Sequence, residues 1–149
     1  LNIESIKIGL KVESKRELLN QMVSLAEKSK KMLDRQEVIA EVIEREKIMS
    51  TGVGKGIALP HAKTNAVIEN IAALAILAEP IDFNSIDDSP VNIVFLLLGT
   101  EKNVGNHLRI LSRASRIMNN DEFREKLLKC KTASEVKYLF ENYENQEHY

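Results

Sequence analysis

Two histidines are the side chains of this 149-residue sequence best suited to chemistry at neutral pH. His61 directly follows Pro60, which stiffens the backbone and removes one hydrogen-bond donor. Imidazole has a reference pKa near 6.5, so at neutral pH most rings carry a free nitrogen lone pair. A histidine held on a rigid segment is well placed to act as a nucleophile. The same histidine would also serve as a plain hydrogen-bonding residue at the end of a strand, and both interpretations stay open.

A glycine-rich segment stands just before His61. Half of the six glycines of the chain fall within residues 52–56. Backbone N–H groups that crowd around one point, with hydroxyls beside them, are typical of an anion-binding loop. Lys55 is followed by glycine, so the segment is not a Walker A loop, and the spacing of a dinucleotide fingerprint is also missing. The alternative is a glycine-rich turn that leads into a strand. The candidate phosphate-binding residues are Ser50, Thr51, Gly52, Gly54 and Gly56.

His107 and Arg45 are the further candidates for a site around His61. His107 lies on the apolar face of a predicted helix, either as a histidine at the edge of the core or as the second member of a histidine pair. Arg45 ends a predicted helix; turned inward it would clamp an oxyanion, and turned outward it would be a solvated arginine. A zinc ion would need a third ligand, and the chain has one cysteine and a third histidine, His148, in its C-terminal tail. We expect no metal.

Charge and composition exclude several classes of protein. Lys and Arg number 21 and Asp and Glu 22, so the net charge of −1 is unlike that of a strongly basic nucleic-acid binder. Four Phe, three Tyr and no Trp give little material for base stacking. The longest apolar runs, residues 71–78 and 93–98, are far shorter than the roughly 18 residues of a membrane span. With no signal-peptide pattern at the start, we expect a cytoplasmic protein that binds no nucleic acid and enters no membrane.

Helix signals occur on both sides of the candidate residues. Capping boxes at residues 14–17, 34–37 and 132–135 each predict the start of a helix. Apolar residues at helical spacing predict two more helices over 104–118 and 121–130. The stripe of Arg109, Arg113 and Arg116 lies opposite the apolar face of the 104–118 helix, and we expect it to be a solvated face.

Two strand-length stretches, 71–78 and 91–98, are apolar almost throughout. A strand that is apolar on both faces must be covered on both faces, which requires helices on each side of the sheet. We therefore predict an α/β (α+β) sandwich with a mixed sheet flanked by helices. We expect short extended pieces around 1–13 and 57–60, and a single domain that spans residues 1–149.

The segment from Arg45 to Ala62, with Ser50-Thr51-Gly52-x-Gly54-x-Gly56 leading into Leu59-Pro60-His61, resembles a known phosphohistidine signature. It is that of the enzyme IIA component, fructose/mannitol type, of the bacterial phosphotransferase system, which includes the nitrogen-regulatory IIA proteins. The resemblance continues through residues 90–98 and 107–115 and covers essentially the whole chain. It departs at Gly99-Thr100, where the family more often has Ala-Pro, and we expect this to alter only the exit of the strand.

The resemblance implies a carrier that takes a phosphoryl group from phospho-HPr and passes it to a IIB domain. By motif position, His61 would be phosphorylated and Arg45 would bind the phosphate. His107 would support His61, either by holding its ring tautomer or by donating a hydrogen bond to a phosphate oxygen. No metal or cofactor is required, because HPr presents an already activated N–P bond. His61 should then lie in a shallow depression with an apolar rim.

A second function fits the same resemblance. The chain would then be a regulatory IIA module, of the nitrogen type or part of a transcriptional regulator, whose phosphorylation state is read by a protein partner. The IIA component of this family does not touch sugar, so the sequence carries no sugar specificity.

Overall fold

The computed structural model describes residues 1–146, which form five α-helices and six β-strands. A short 3-10 turn at Ile3–Ser5 precedes the first strand. The strands are β1 (Ile6–Leu10), β2 (Gly52–Gly54), β3 (Ile57–Ala58), β4 (His61–Lys63), β5 (Ile71–Ile81) and β6 (Val91–Gly99). The helices are α1 (Lys15–Glu27), α2 (Arg35–Ile48), α3 (Val104–Met118), α4 (Asp121–Lys129) and α5 (Ala133–Gln146).

The helices begin at the residues that the capping signals indicate. Ser14, Asp34 and Thr132 each accept a hydrogen bond from the backbone N–H three residues later, at 3.1, 3.2 and 3.1 Å. Asn103 and Asn120 cap α3 and α4 in the same way. Each cap satisfies an N–H group that the helix itself leaves unpaired, which is worth about 1 kcal/mol.

The six strands form one mixed sheet in the order β1-β5-β6-β3-β2, with β4 also paired to β6. β5 and β6 run antiparallel at its centre, β1 is parallel to β5, β3 and β4 are parallel to β6, and β2 is antiparallel to β3. The two predicted long strands are confirmed. The short strands at 52–54 and 61–63 were not predicted, because glycine-rich or three-residue segments have little strand propensity of their own and depend on pairing with a neighbouring strand.

Helices cover both faces of the sheet, as the apolar strands require. Leu96 and Leu98 of β6 pack into a core with α1 and α2. Phe95 and Leu97, which alternate with them, pack into a second core with α3, α4 and α5. Each buried side chain of this size contributes about 1.5–3 kcal/mol through loss of water contact. The predicted sandwich is therefore confirmed.

His61 is positioned by the short strands that pair along one edge of β6. β3 and β4 follow one another along this edge, with Pro60 between them, and the N–H of Leu97 donates to the Pro60 carbonyl at 3.0 Å. Alternate residues of a strand point to opposite faces. Ala62 packs into the core with α1 and α2, so His61 and Lys63 lie together on the other face.

Candidate functional site

His61 lies in a cleft of 620 Å³ where three elements meet. The C-terminal half of α2 supplies Arg45, β4 supplies His61, and α3 supplies His107. The three residues that the sequence proposed for catalysis are thus brought together from positions far apart in the chain. The full lining comprises Glu41, Glu44, Arg45, Lys47, Ile48, His61, Ala62, Lys63, His107, Leu108 and Leu111.

The ring of His61 is held by the backbone two residues before it. Its Nδ1 lies 2.8 Å from the carbonyl oxygen of Leu59. A carbonyl only accepts hydrogen bonds, so Nδ1 must carry the proton and Nε2 of the neutral ring keeps its lone pair. Burial lowers the pKa of His61, and the positive charges of Arg45 and Lys63 lower it further, against the opposing Leu59 hydrogen bond. At neutral pH the ring is therefore an uncharged nucleophile with a fixed tautomer.

His107 is 1% exposed, and its ring centroid lies 6.1 Å from that of His61 with 49° between the planes. Neither ring nitrogen has a hydrogen-bond partner among residues 1–146. Burial lowers the pKa of His107, and the neighbouring His61 adds to the effect. The expectation that His107 holds the His61 tautomer is wrong, because Leu59 does so. A neutral imidazole still has one N–H, which leaves His107 able to donate to an anion.

Gly99, at the end of β6, makes room for the His107 ring. A Cβ atom at this position would lie 2.2 Å from Nδ1 of His107 and 2.8 Å from its Cγ, far inside van der Waals contact. A strand glycine often marks a close approach of this kind. The departure at Gly99 therefore affects more than the strand exit, because the His107 ring occupies the space that a side chain at this position would take.

The end of α2 is fixed by two consecutive side chains. Arg45 faces the cleft, half-buried, and donates to the carbonyl of Met49 at 3.0 Å. Glu46 is 7% exposed and points the other way. Its carboxylate accepts from the N–H and hydroxyl of Thr51 at 2.8 and 2.7 Å, and from Lys15 at 2.9 Å. This role of Glu46 was not predicted, because a glutamate within a charged run of the sequence resembles a solvated residue.

The glycine-rich segment forms a β-hairpin between β2 and β3. Lys55 and Gly56 have φ values of 59° and 81°, so both central residues of the two-residue turn are left-handed, as a type I′ hairpin requires. The N–H of Lys55 donates to the Asp87 carboxylate at 3.0 Å. This hydrogen bond, with one from Ser89, holds the pKa of Asp87 below its usual value. The anion bound by the backbone of this turn is thus the Asp87 carboxylate of the protein itself.

The two hydroxyls before the hairpin are also engaged elsewhere. Ser50 donates to the carbonyl of Phe83 at 2.9 Å, and Thr51 donates to Glu46. Within the described part of the chain, none of the predicted phosphate-binding residues lines the His61 cleft. Their role in binding phosphate stays a prediction, and the contacts present favour the alternative of a turn that leads into a strand. These residues are Ser50, Thr51, Gly52, Gly54 and Gly56.

Lys63 is a cleft residue that the sequence analysis missed. It lines the same cleft as His61, and its charge lowers the pKa of both histidines. Its position could in principle have been predicted from that of His61, because residues two apart on a strand point to the same face. Lys63 was not predicted as a cleft residue because β4 is only three residues long and was itself not predicted.

Within residues 1–146, no group of three His, Cys, Asp or Glu side chains is arranged to hold a metal ion. None of the helices in this range combines the length and the apolar character that crossing a bilayer demands. His148 lies outside the described residues.

The cleft holds a pair of histidines beside an arginine. Almost the whole chain also resembles one protein family. A family model described as "Phosphoenolpyruvate-dependent sugar phosphotransferase system, EIIA 2" matches residues 1–143. The chain belongs to this EIIA family. The predicted resemblance is confirmed.

The EIIA relatives have both sugar-specific and regulatory names. A fructose-specific EIIA component from Haloferax volcanii is 39% identical over 77% of this chain and 75% of its own length. A nitrogen regulatory protein from Bradyrhizobium diazoefficiens is 36% identical over 89% of this chain and 86% of its own length. The fructose-specific EIIABC component of Bacillus subtilis is 34% identical over 91% of this chain, which spans only 21% of that longer protein.

Solved EIIA structures share the fold. The nitrogen regulatory protein IIA-Ntr of Neisseria meningitidis superposes with a TM-score of 0.87 at 31% identity, covering 93% of this chain and 94% of its own. The mannitol IIA of Escherichia coli, solved in complex with phosphorylated IIB, superposes with a TM-score of 0.81 at 20% identity, covering 95% and 97% of the two chains. At that identity the second likeness concerns the fold alone.

Proposed function

We propose that this chain is a cytoplasmic phosphocarrier of a sugar phosphotransferase system that accepts a phosphoryl group from phospho-HPr on His61 and passes it to a IIB domain. The observation that carries the proposal is the ring of His61, held neutral by burial and fixed by the Leu59 carbonyl with Nε2 unprotonated. The proposed phosphocarrier domain comprises residues 1–149.

The transfer step needs only a lone pair and a leaving group. Nε2 of His61 attacks the phosphorus of phospho-HPr, the new N–P bond forms as the donor's N–P bond breaks, and the donor imidazole takes the bonding electron pair. The His61 proton stays on Nδ1, hydrogen-bonded to Leu59. Transfer to IIB is the same kind of substitution, in which a IIB nucleophile attacks the phosphorus and His61 is the leaving group.

The charged groups of the cleft suit a phosphoryl group. A phosphoryl group carries close to two negative charges and several strong acceptor oxygens. Arg45 and Lys63 line the cleft and supply positive charge, and the buried N–H of His107 lacks any other partner among residues 1–146. Groups already fixed in place stabilise the transition state without reorganising. A phosphate oxygen would satisfy the His107 ring that the free protein leaves unpaired.

The surface around the cleft suits a transient protein partner. Ile48 and Leu108 are 81% and 56% exposed at its rim, which matches the apolar rim that the resemblance implies. Small apolar patches with a polar surround are typical of weak, quickly reversed complexes. The Bacillus subtilis relative, 34% identical to this chain, is named an EIIABC component, which supports a IIB domain as the acceptor here.

Intact mass after incubation with phosphoenolpyruvate, enzyme I and HPr tests the assignment of His61. The wild-type protein should gain the mass of one phosphoryl group, and His61→Ala should gain none. His148→Ala serves as the matched control and should be phosphorylated like the wild type. A full phosphoryl gain in His61→Ala would refute the role of His61.

A regulatory role is the second candidate, and the likeness to two nitrogen regulatory proteins favours it. The same phosphorylation of His61 would then be read by a protein partner instead of feeding a permease. The sequence of the complete gene and its neighbours distinguishes the two roles. Fused or adjacent IIB and IIC coding regions indicate transport, and DNA-binding or regulatory domains in the same chain indicate regulation.

A further inference from the structure

The buried carboxylate of Glu46 begins a series of hydrogen bonds that ends on the ring of His61. Its two oxygens accept from the backbone N–H and the hydroxyl of Thr51 at 2.8 and 2.7 Å. The carbonyl of Thr51 accepts from the N–H of Leu59 at 2.9 Å, next to the β2–β3 pairing. The Leu59 carbonyl then accepts from Nδ1 of His61 at 2.8 Å. Consecutive hydrogen bonds therefore connect Glu46 to the proposed nucleophile.

The same carboxylate also fixes the turn that holds Arg45. Met49 leaves α2 in an extended conformation, with φ −162° and ψ 137°, and its carbonyl accepts from Nη1 of Arg45 at 3.0 Å. Two residues later, Thr51 is bonded back to Glu46. Two consecutive side chains of α2 thus both close the turn that follows the helix. A displacement of Thr51 would move the Met49 carbonyl with it, and the Arg45 side chain would lose the acceptor that orients it.

The contacts of Glu46 require a carboxylate. Thr51 and Leu59 are buried, and buried N–H and hydroxyl groups need acceptors. A carboxylate offers one oxygen to each donor of Thr51 and also accepts from Lys15 at 2.9 Å, whose charge compensates its own. An amide of the same size has one acceptor oxygen, and its NH₂ group would face a donor. Both oxygens of Glu46 are therefore needed to hold Thr51.

We propose that Glu46 is a positioning residue for phosphoryl transfer. It keeps the Leu59 carbonyl in contact with His61, which fixes the protonated nitrogen of the ring. It also keeps the Met49 carbonyl in contact with Arg45. Glu46 is not among the residues that line the cleft, so it acts through these two carbonyls. The inference rests on the proposed function, because it concerns the nucleophile and the arginine of that reaction.

The variant Glu46→Gln tests the proposal in the full chain, because it keeps the shape of the side chain and removes one acceptor. Misplacement of a reacting group by about 1 Å can lower a rate by about 100-fold, so the maximal rate at saturating phospho-HPr should fall by about 10–100-fold. The HPr concentration that gives half of this rate should change by less than about twofold, because docking contacts are kept. Glu37→Gln, at an exposed glutamate in the first turn of the same helix, is the matched control and should behave like the wild type.

The tautomer of His61 gives a readout that does not depend on phosphoryl transfer. Long-range ¹H–¹⁵N spectra of the unphosphorylated protein at pH 7.5 distinguish a neutral ring protonated on Nδ1 from one protonated on Nε2. The wild type and Glu37→Gln should show the Nδ1–H form, and Glu46→Gln a mixture, because the Leu59 carbonyl is no longer held in place. A wild-type protein that takes no phosphoryl group would refute the proposed function, and these spectra would still decide the role of Glu46.

The variant Thr51→Val decides the question if Glu46→Gln fails to fold. It removes the hydroxyl donor and keeps the backbone N–H, so it should slow transfer and shift the His61 tautomer in the same direction, and Thr51→Ser should reverse both effects. A wild-type rate and tautomer in folded Glu46→Gln, or in Thr51→Val where the former does not fold, would overturn the proposal. Slower transfer with an unchanged His61 tautomer would also overturn it.

Discussion

Arg45 and His107 are the residues whose removal should slow phosphoryl transfer without unfolding the protein. Loss of one fixed donor to a developing oxyanion typically reduces the rate by about 10²–10³-fold. We therefore expect Arg45→Ala and His107→Ala each to lower the rate of transfer from phospho-HPr by about this factor, with circular dichroism like that of the wild type. Rapid-quench measurement of phosphoprotein formation gives the rates.

Arg109→Ala is the matched control for Arg45→Ala, because Arg109 is an exposed arginine that does not line the cleft. It should transfer at the wild-type rate. If Arg45→Ala and Arg109→Ala were equally fast, Arg45 would have no part in stabilising the phosphoryl group.

The two histidines also make stability depend on pH. Burial lowers the pKa of both His61 and His107 in the folded protein, so below the reference pKa near 6.5 the unfolded chain binds more protons than the folded one. Stability contributed by the neutral rings is therefore present above pH 6.5 and is lost as the pH falls below it. We expect the free energy of unfolding in urea to decrease between pH 7.5 and 5.

The variant His107→Leu isolates the contribution of one ring to this pH dependence. It removes a titrating group while keeping the buried position apolar, so its unfolding free energy should fall less between pH 7.5 and 5 than that of the wild type. An identical pH dependence in the two proteins would show that His107 titrates with the same pKa in the folded and unfolded states.

At the scale of elements, the packing of α3 against β6 depends on Gly99. Gly99→Ala introduces a Cβ atom 2.2 Å from the present position of the His107 Nδ1 atom, so the ring or the helix must move. Overpacking of this kind typically costs about 1–3 kcal/mol. A displacement of about 1 Å at a reacting site can lower the rate by about 100-fold. We expect Gly99→Ala to shift the His107 ring resonances and to slow transfer.

Gly105→Ala is the control for that substitution. Gly105 lies in α3, with no atom within 4 Å of the position that a Cβ would take. Because Gly105 is the second residue of α3, the alanine should raise stability by less than the roughly 0.5–1 kcal/mol gained in the middle of a helix, and it should leave the transfer rate unchanged. His107 resonances in Gly99→Ala that matched those of the wild type would contradict the packing role of Gly99.

At the scale of the whole molecule, the exposed apolar rim should determine how partners dock. A buried charge at the centre of an interface is poorly tolerated, and residues that contribute to binding typically cost more than about 1 kcal/mol when altered. Ile48→Asp and Leu108→Asp should therefore raise the KM for phospho-HPr by about fivefold or more, with little change in kcat. Steady-state phosphorylation at several HPr concentrations separates the two constants.

Leu33→Asp is the control on a distant surface. Leu33 is 68% exposed but lies just before the N-terminal end of α2, whereas Ile48 ends the same helix about 20 Å away by the rise of an α-helix. It should leave the KM unchanged. An increase in KM for Leu33→Asp alone would place the docking face elsewhere.

Much of the fold could be predicted because its signals are local. Ser14, Asp34 and Thr132 cap helices through hydrogen bonds that span three residues. The apolar runs at 71–78 and 91–98 required cover on both faces whatever the topology. The short strands β2 and β4 could not be predicted, because pairing with β3 and β6 stabilises them more than their own residues do.

The sequence by itself determined which residues meet the chemical requirements of the site, namely a histidine after proline, a second histidine and an arginine. Only the tertiary structure decided their contacts, because each depends on atoms remote in sequence. In the folded protein the Leu59 carbonyl fixes the tautomer of His61, and the His107 ring packs against Gly99. The hydroxyls of Ser50 and Thr51 donate to groups outside the cleft. Residue type fixes what a side chain can donate or accept, and packing fixes which partner it meets.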